Sequence, residues 1–165
     1  MTLSDFNQAD PAEAAALVRP CLDVPRWVDA VVAARPYASV EQAVGHAGQV
    51  LQSGPLTREE VEAALAHHPR IGERAPGAGR EAALSRGEQR GLDLTDVVQR
   101  ELRAANEAYE ARFDRVFLIR AAGRDTTEIL AECRRRTAND PQTEEREVAG
   151  QLAQIALLRL EGALT

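Results

Sequence analysis

The stretch TREEVEAALAHHPRIGER, residues 57–74, predicts one helix, its end and an unusually placed histidine. Strong helix formers occupy residues 57–66, and Thr57 with Glu60 has the spacing of a capping box. Because proline disfavours the α conformation in the residue before it, we expect the helix to end at His68. The helix dipole favours a protonated imidazole there, and a histidine held in this way suits proton transfer. A surface histidine at a helix end explains the same short pattern, so both interpretations stay open.

Helix-start patterns recur along the chain and predict an all-α fold. Besides Thr57, starts are predicted at Asp10, Pro25, Ser39, Ser85, Asp125 and Asp140. Apolar residues at steps of three and four predict one long helix, with the stripe Leu94, Val98, Leu102, Ala105, Tyr109 and Phe113. Residues 116–119, VFLI, alone resemble a strand, and we interpret them as a buried extended linker. We therefore expect residues 1–165 to form a single domain, a compact bundle of about seven or eight helices.

Composition narrows the class of protein. A chain of 165 residues suits one domain, and its net charge of −6 argues against a nucleic-acid-binding surface. Its apolar runs fall short of the roughly 18–20 residues of a membrane span, and residues 1–10 lack a signal-peptide pattern. Cys21 and Cys133 have no metal-ligand spacing, so we interpret them as reduced core thiols. Together these features predict a soluble, cytoplasmic protein that binds neither nucleic acid nor membrane.

The histidines give no sign of a metal site. His67 and His68 are adjacent, and no spaced set of ligands accompanies them. His67 lacks the proline that fixes its neighbour, and His46 is interpreted as a structural or surface residue. The chain also has neither a glycine-rich phosphate loop nor a dinucleotide-binding fingerprint. A zinc site is therefore disfavoured.

Arg159 is anomalous because it continues an apolar stripe. It follows Val148, Leu152 and Ile155 by one more step of four, inside the apolar run IALLRL. One interpretation is a side chain that extends along the helix to bring its charge to water. The other is a buried guanidinium that binds a carboxylate or another planar anion.

The segment SRGEQ, residues 85–89, is a second candidate site. As a capping box it needs no function, and that interpretation stays open. Its helix follows the Pro/Gly-rich connection that leaves His68, so a helix N-terminus with Ser85, Glu88 and Gln89 is expected near that histidine. The connection, residues 74–83, is either a lid over the site or a loop without a function.

These residues resemble the 2-oxo-4-hydroxy-4-carboxy-5-ureidoimidazoline (OHCU) decarboxylase family of urate degradation. The specific signature is His68-Pro69-Arg70-Ile71-Gly72 followed by Ser85-x-x-Glu88-Gln89. The similarity extends over nearly the whole chain, through Trp27, Arg35-Pro36-Tyr37, Asn106-x-x-Tyr109, Phe117-Leu118-Ile119, Arg136-x-x-Asn139 and Leu158-Arg159-Leu160. It departs from the family at Asp114-Arg115 and at Arg120, where relatives commonly carry Gly-Phe and a small residue or Cys.

The resemblance implies a small all-α enzyme without cofactors that converts OHCU to (S)-allantoin and carbon dioxide. The family's catalytic histidine and glutamate correspond to His68 and Glu88. Substrate contacts correspond to Pro69, Ser85, Gln89, Arg159 and the main chain around Ile119. Family analogy also implies a homodimer.

Two other functions remain compatible with the sequence. One is a non-catalytic helical module that binds a partner protein, which predicts an exposed Arg159. The other is a related cofactor-free lyase or hydrolase that acts on a different ureido compound. The substrate itself is inferred from the resemblance alone.

Overall fold

The protein is helical throughout the part of the chain that our computed structural model describes, residues 1–73, 79–90, 92 and 95–165 without the side chain of Glu81. These residues form nine helices and no strand, so the all-α prediction is confirmed. The helices are α1 (Leu3–Gln8), α2 (Pro11–Val18), α3 (Pro25–Ala33), α4 (Val40–Ser53), α5 (Arg58–Leu65), α6 (Arg80–Glu88), α7 (Asp96–Phe113), α8 (Thr126–Thr137) and α9 (Pro141–Leu164).

The chain forms two compact units. The first contains residues 1–64 and 152–165, and the second contains residues 65–151. This division does not test the expectation of one domain over residues 1–165, which stays a prediction.

Most of the predicted helix starts carry the expected caps. A side-chain oxygen accepts a hydrogen bond from the first turn at Asp10, Ser39, Thr57, Asp125 and Asp140. Thr57 and Asp125 form full capping boxes, because Glu60 and Glu128 also accept hydrogen bonds from their main-chain amides. Local side-chain chemistry therefore sets these boundaries.

The predicted helix start at Ser85 is wrong. Ser85 lies inside α6, which begins after Gly79 and ends at Glu88. Gly79 occupies the N-cap without a side-chain hydrogen bond, so this start has no capping-box signature. The Ser-x-x-Glu spacing also places two side chains on one face within a helix, which explains the misleading pattern.

Helix α1 was not among the predicted helices. It begins after a capping box in which Thr2 and Asp5 each accept a hydrogen bond from the other's main-chain amide. Aspartate replaces the usual Glu or Gln of this motif, which is why the pattern is less conspicuous.

In the first unit, helix α3 contacts both α2 and α4. The fully buried indole of Trp27 on α3 donates from Nε1 to the carbonyl of Ala47 on α4, at 3.0 Å. Arg35, just after α3, donates to the carbonyls of Phe6 and Ala9. Trp27 and Arg35 therefore hold the helices of this unit together.

In the second unit, α7 packs against α8 over one hydrophobic cluster. Its buried members are Ile71, Leu102, Tyr109, Phe117, Ile119, Ala121, Ile129, Leu130 and Cys133. Residues 116–119 lie in neither a helix nor a strand, and 117–119 are buried, as expected of a buried linker. Since Ile71 and Ile119 belong to the same cluster, the cluster joins the segment after His68 to this linker.

The described helices include none with the length and apolar character needed to span a membrane.

Candidate active site

The segment after His68 is a tight turn that follows the end of α5. The amide of His68 donates to the carbonyl of Leu65 at 3.0 Å, and the amide of Glu73 donates to the carbonyl of Arg70 at 3.0 Å. His68 is half-buried, whereas His67 is exposed. We call residues 68–73 the histidine turn.

Gly72 is required in the histidine turn by both conformation and space. Its φ of +86° lies in the left-handed region, at the third position of the Arg70–Glu73 β-turn, where type II turns require glycine. A Cβ atom at this position would lie 3.1 Å from Cδ1 of Leu102. The Ile-Gly pair of the sequence motif therefore sets the shape of the turn.

Three side chains from α7 and the end of α6 hold the histidine turn. Gln89 accepts a hydrogen bond from the Gly72 amide at 2.9 Å and donates to the Glu73 carbonyl at 3.4 Å. Asn106 Nδ2 donates to the Ile71 carbonyl at 3.1 Å. Glu110 accepts two hydrogen bonds from Arg70, at 2.8 and 2.6 Å. The turn is thus bonded at four successive residues, 70–73.

Ser85, Glu88 and Gln89 lie at the C-terminal end of α6, not at a helix N-terminus. Ser85 is buried, Glu88 is the last helical residue and half-buried, and Gln89 is the C-cap. The expected group of free N–H donors is therefore replaced by the carbonyl end of a helix, whose dipole disfavours a negative charge. Through Gln89, this end of α6 is bonded directly to the histidine turn.

The connection between the histidine turn and α6 bears on the lid prediction. Residues 74–78 lie outside the described part of the chain, as do Gly91, Asp93 and Leu94. Residues 80–83 belong to α6, so the loop expected over residues 74–83 is shorter than predicted. Whether the connection before α6 acts as a lid stays a prediction.

The segment around Ile119 is held by two side chains, one bonded to the residue before Ile119 and one to the residue after it. Arg136 Nη1 donates to the Leu118 carbonyl at 2.7 Å, and Gln151 Oε1 accepts from the Arg120 amide at 2.8 Å. No hydrogen bond to the N–H or C=O of Ile119 itself is found among the described residues. Buried main-chain groups rarely lack partners, so this position suits a ligand contact.

Arg136 belongs to a fully buried ionic cluster beneath this segment. Its guanidinium donates to Glu144, and both side chains are 1% exposed. It also lies 4.7 Å from the centre of the Phe117 ring. Tyr109 donates to the same carboxylate, and burial together with this hydrogen bond raises the pKa of its hydroxyl. The cluster satisfies its buried charge internally, which leaves Arg136 as a scaffold residue rather than a free anion site.

Arg159 is buried in the first unit. It is 4% exposed, and its Nη1 donates to the Pro20 carbonyl at 3.1 Å. The guanidinium does not reach solvent, so the interpretation in which it extends to water is wrong. Its substrate contact stays a prediction.

His46 is the remaining histidine, and it lies in the first unit. His46 is half-buried, and its ring centre lies 5.9 Å from that of Tyr37. Within the described ranges, no group of three or more His, Cys, Asp or Glu side chains is arranged to hold a metal ion.

Sequence reasoning missed Asn106, Glu110 and Gln151 as supports of the site. Asn106 carried a usable signal, since it follows Leu102 by four residues on the apolar stripe of α7. A polar side chain on such a stripe needs a buried partner. Glu110 and Gln151 carried none, because their partners lie 40 and 31 residues away.

Comparisons with known proteins agree with this architecture. A sequence model of the family described as OHCU decarboxylase matches residues 7–161. No curated protein sequence matches the chain.

Two crystal structures share the fold. The first, of OHCU decarboxylase in the presence of (S)-allantoin, is 20% identical with a TM-score of 0.66 and covers 88% of this chain and 95% of its own. The second, of (S)-allantoin synthase, is 16% identical with a TM-score of 0.70 and covers 99% of this chain but 54% of its own. This chain therefore spans about half the length of the second protein.

Proposed function

Because this chain belongs to the OHCU decarboxylase family of carboxy-lyases, we propose that it converts OHCU to (S)-allantoin and carbon dioxide. The family match over residues 7–161 is the observation that carries this proposal. The histidine turn supports it, since hydrogen bonds to three main-chain groups and to the Arg70 side chain fix the turn next to a half-buried imidazole.

The chemistry needs no cofactor, because the substrate is its own electron sink. Its carboxylate sits on a carbon adjacent to a ring C=N bond. Loss of carbon dioxide moves the C–C bonding pair towards that imine nitrogen, as in a β-keto acid. The protein's tasks are then to stabilise the charge that develops on the ring and to supply protons.

His68 and Glu88 are the proposed proton-transfer residues. One removes or holds the proton of the substrate hydroxyl, and the other protonates the planar carbon left after decarboxylation. Delivery from one face gives a single enantiomer, whereas uncatalysed protonation from both faces gives a racemate.

Ser85, Gln89, Pro69 and the main chain of Ile119 are proposed to hold the ureido ring system. The buried Ser85 hydroxyl lies one helical turn before Gln89, and the Ile119 main chain is fixed on both sides by Arg136 and Gln151. Arg159 is proposed to bind a substrate carboxylate or urea oxygen, because a buried guanidinium recognises planar oxygen pairs.

We further propose that the protein is a cytoplasmic homodimer. Both cysteines are buried thiols outside any disulfide, and burial raises the pKa of the Cys133 thiol to about 11, so this thiol stays protonated and unreactive. The dimer rests on family analogy, and light scattering of the purified chain tests it.

The test generates OHCU in situ from urate with urate oxidase and hydroxyisourate hydrolase, adds the protein, and follows circular dichroism. We expect (S)-allantoin to form faster than by spontaneous decay. His68→Asn should lose at least about a hundredfold in rate, since general acid–base catalysis contributes that much, whereas His67→Asn should not. Wild-type protein that leaves the rate and enantiomeric excess unchanged would refute the function, and equal rates for both variants would refute the role of His68.

A further inference from the structure

Asn106 is a buried polar residue that the proposed chemistry does not use. It is 1% exposed and lies on α7 one turn after Leu102 and one turn before Glu110. Burying an amide costs free energy unless it is hydrogen-bonded, and here only half of the amide is. Nδ2 donates to the Ile71 carbonyl, whereas Oδ1 has no hydrogen-bond partner among the described residues. Packing alone would favour an apolar side chain at this position.

We propose that Asn106 is a positioning residue for His68. It acts through the histidine turn, by fixing the carbonyl of Ile71 three residues after the imidazole. This inference rests on the proposed catalytic role of His68, and it assigns Asn106 no contact with substrate.

Hydrogen bonds add to the packing of Ile71 and Gly72 in fixing the position of the turn, because part of its surface faces a cavity. A cavity of about 80 Å³ lies beside it, lined by Arg70, Leu102 and Asn106 among others. A turn next to empty space has few van der Waals contacts to resist displacement. The hydrogen bond from Asn106 crosses to the turn at this place and so restrains it.

The Asn106 bond is also the best protected of those that hold the turn. The hydrogen bond that Gln89 donates to the Glu73 carbonyl is 3.4 Å long and exposed to solvent. In the Arg70–Glu110 pair, the Arg70 side chain is 26% exposed. Asn106 instead lies in the core of an 18-residue helix, three residues before Tyr109, which is bonded to the buried Glu144. Its end of the bond is therefore fixed by the rigid interior of the second unit.

Asn106→Leu tests the inference, because it keeps the volume and removes the donor. Tyr37→Phe is the matched control, since it also removes one buried donor to a main-chain carbonyl, that of Val31 in the first unit. Each variant is assayed for kcat and KM on OHCU generated in situ, and for thermal stability. The chain has three histidines, so ¹H–¹³C correlation spectra of their rings are simple to assign with His67→Asn and His68→Asn.

We expect Asn106→Leu to lower kcat by about tenfold to a hundredfold, the usual effect of misplacing a reacting group by about 1 Å, with KM changed far less. The ring signals of His68 should shift while those of His46 stay unchanged. Tyr37→Phe should lower stability while kcat and the His68 signals stay at wild-type values.

The proposal would be overturned if Asn106→Leu kept wild-type kcat and His68 signals, or if Tyr37→Phe lost as much kcat as Asn106→Leu. If Asn106→Leu does not fold, Asn106→Ser replaces it, and wild-type kcat and His68 signals in that variant would likewise overturn the proposal. Failure of both Asn106 variants to fold would make the residue a requirement of the fold and also count against it. The ring signals need no turnover, so they test the positioning of His68 even if the wild-type protein does not decarboxylate OHCU.

Discussion

Gly72→Ala and Gly123→Ala form a matched pair that separates backbone strain from the geometry of the histidine turn. Both glycines have φ in the left-handed region, +86° and +77°. An L-residue in this region destabilises the folded state by about 1–2 kcal/mol. Replacing glycine also lowers the conformational entropy of the unfolded chain, which offsets about 0.4–1 kcal/mol of that loss. Gly123→Ala should therefore lower the free energy of unfolding by about 1 kcal/mol, because nothing lies within 4 Å of its new Cβ.

Gly72→Ala should cost more, because its Cβ meets Leu102 Cδ1 at 3.1 Å and one of the two must move. Leu102 is buried in the hydrophobic cluster, so we expect the turn to move instead, at a total cost of about 2 kcal/mol and a fall in Tm of about 4–8 °C. Activity on OHCU should fall at least about tenfold in Gly72→Ala and stay near wild type in Gly123→Ala. Thermal unfolding and the coupled assay measure both quantities. A Gly72→Ala variant with wild-type kcat would refute the role given to the turn, and equal losses of kcat in both variants would reduce it to general destabilisation.

Three further predictions concern single side chains. Glu88→Gln should keep or slightly raise the Tm, because it removes a negative charge from a helix C-terminus. The same variant should lose at least about tenfold in kcat, and an unchanged kcat would show that the carboxyl group takes no part in proton transfer. Arg159→Met should raise KM strongly and spare kcat more, because the apolar stem stays and the anion-binding group is lost; an unchanged KM would refute the substrate contact. Hydrogen bonds from Arg26 lower the pKa of Glu60 in the folded state. The stability that this pair contributes is therefore fully present above the pKa of Glu60 in the unfolded chain, and it is lost as the pH falls through its pKa in the folded protein. The Tm difference between wild type and Glu60→Gln should therefore shrink between about pH 5 and pH 3, and a constant difference would contradict this assignment.

Local chemistry explains what could be predicted from the sequence. Thr57 and Asp125 cap their helices with side chains that lie three residues from their partners, so the signal is contained in four residues. The end of α5 before Pro69 has an equally local signal, although the helix ends at Leu65, three residues before the expected His68. The non-helical residues 116–119 are likewise marked by their own sequence. At Ser85 the same kind of signal failed, because a spacing of three residues marks a helix interior as well as a helix start.

Long-range contacts explain what could not be predicted. Arg70 finds Glu110 across 40 residues, and Asn106 finds the Ile71 carbonyl across 35. Neither partner is marked in the sequence, since arginine and glutamate are frequent and every residue has a carbonyl group. The residues expected to carry chemistry were recognisable by motif, whereas those that hold them in place emerged only from the packing of α6 and α7 against the turn.

The way the main chain of Ile119 is held has a consequence for how sequence changes should affect this protein. A contact made by main-chain atoms does not depend on which aliphatic side chain occupies position 119, provided that the volume in the cluster is kept. Arg136 and Glu144 have no such freedom, because removing one partner of a buried pair costs about 3–5 kcal/mol. A saturation mutagenesis map should therefore show a tolerant position at the proposed contact, Ile119, and intolerant positions at Arg136 on α8 and Glu144 on α9.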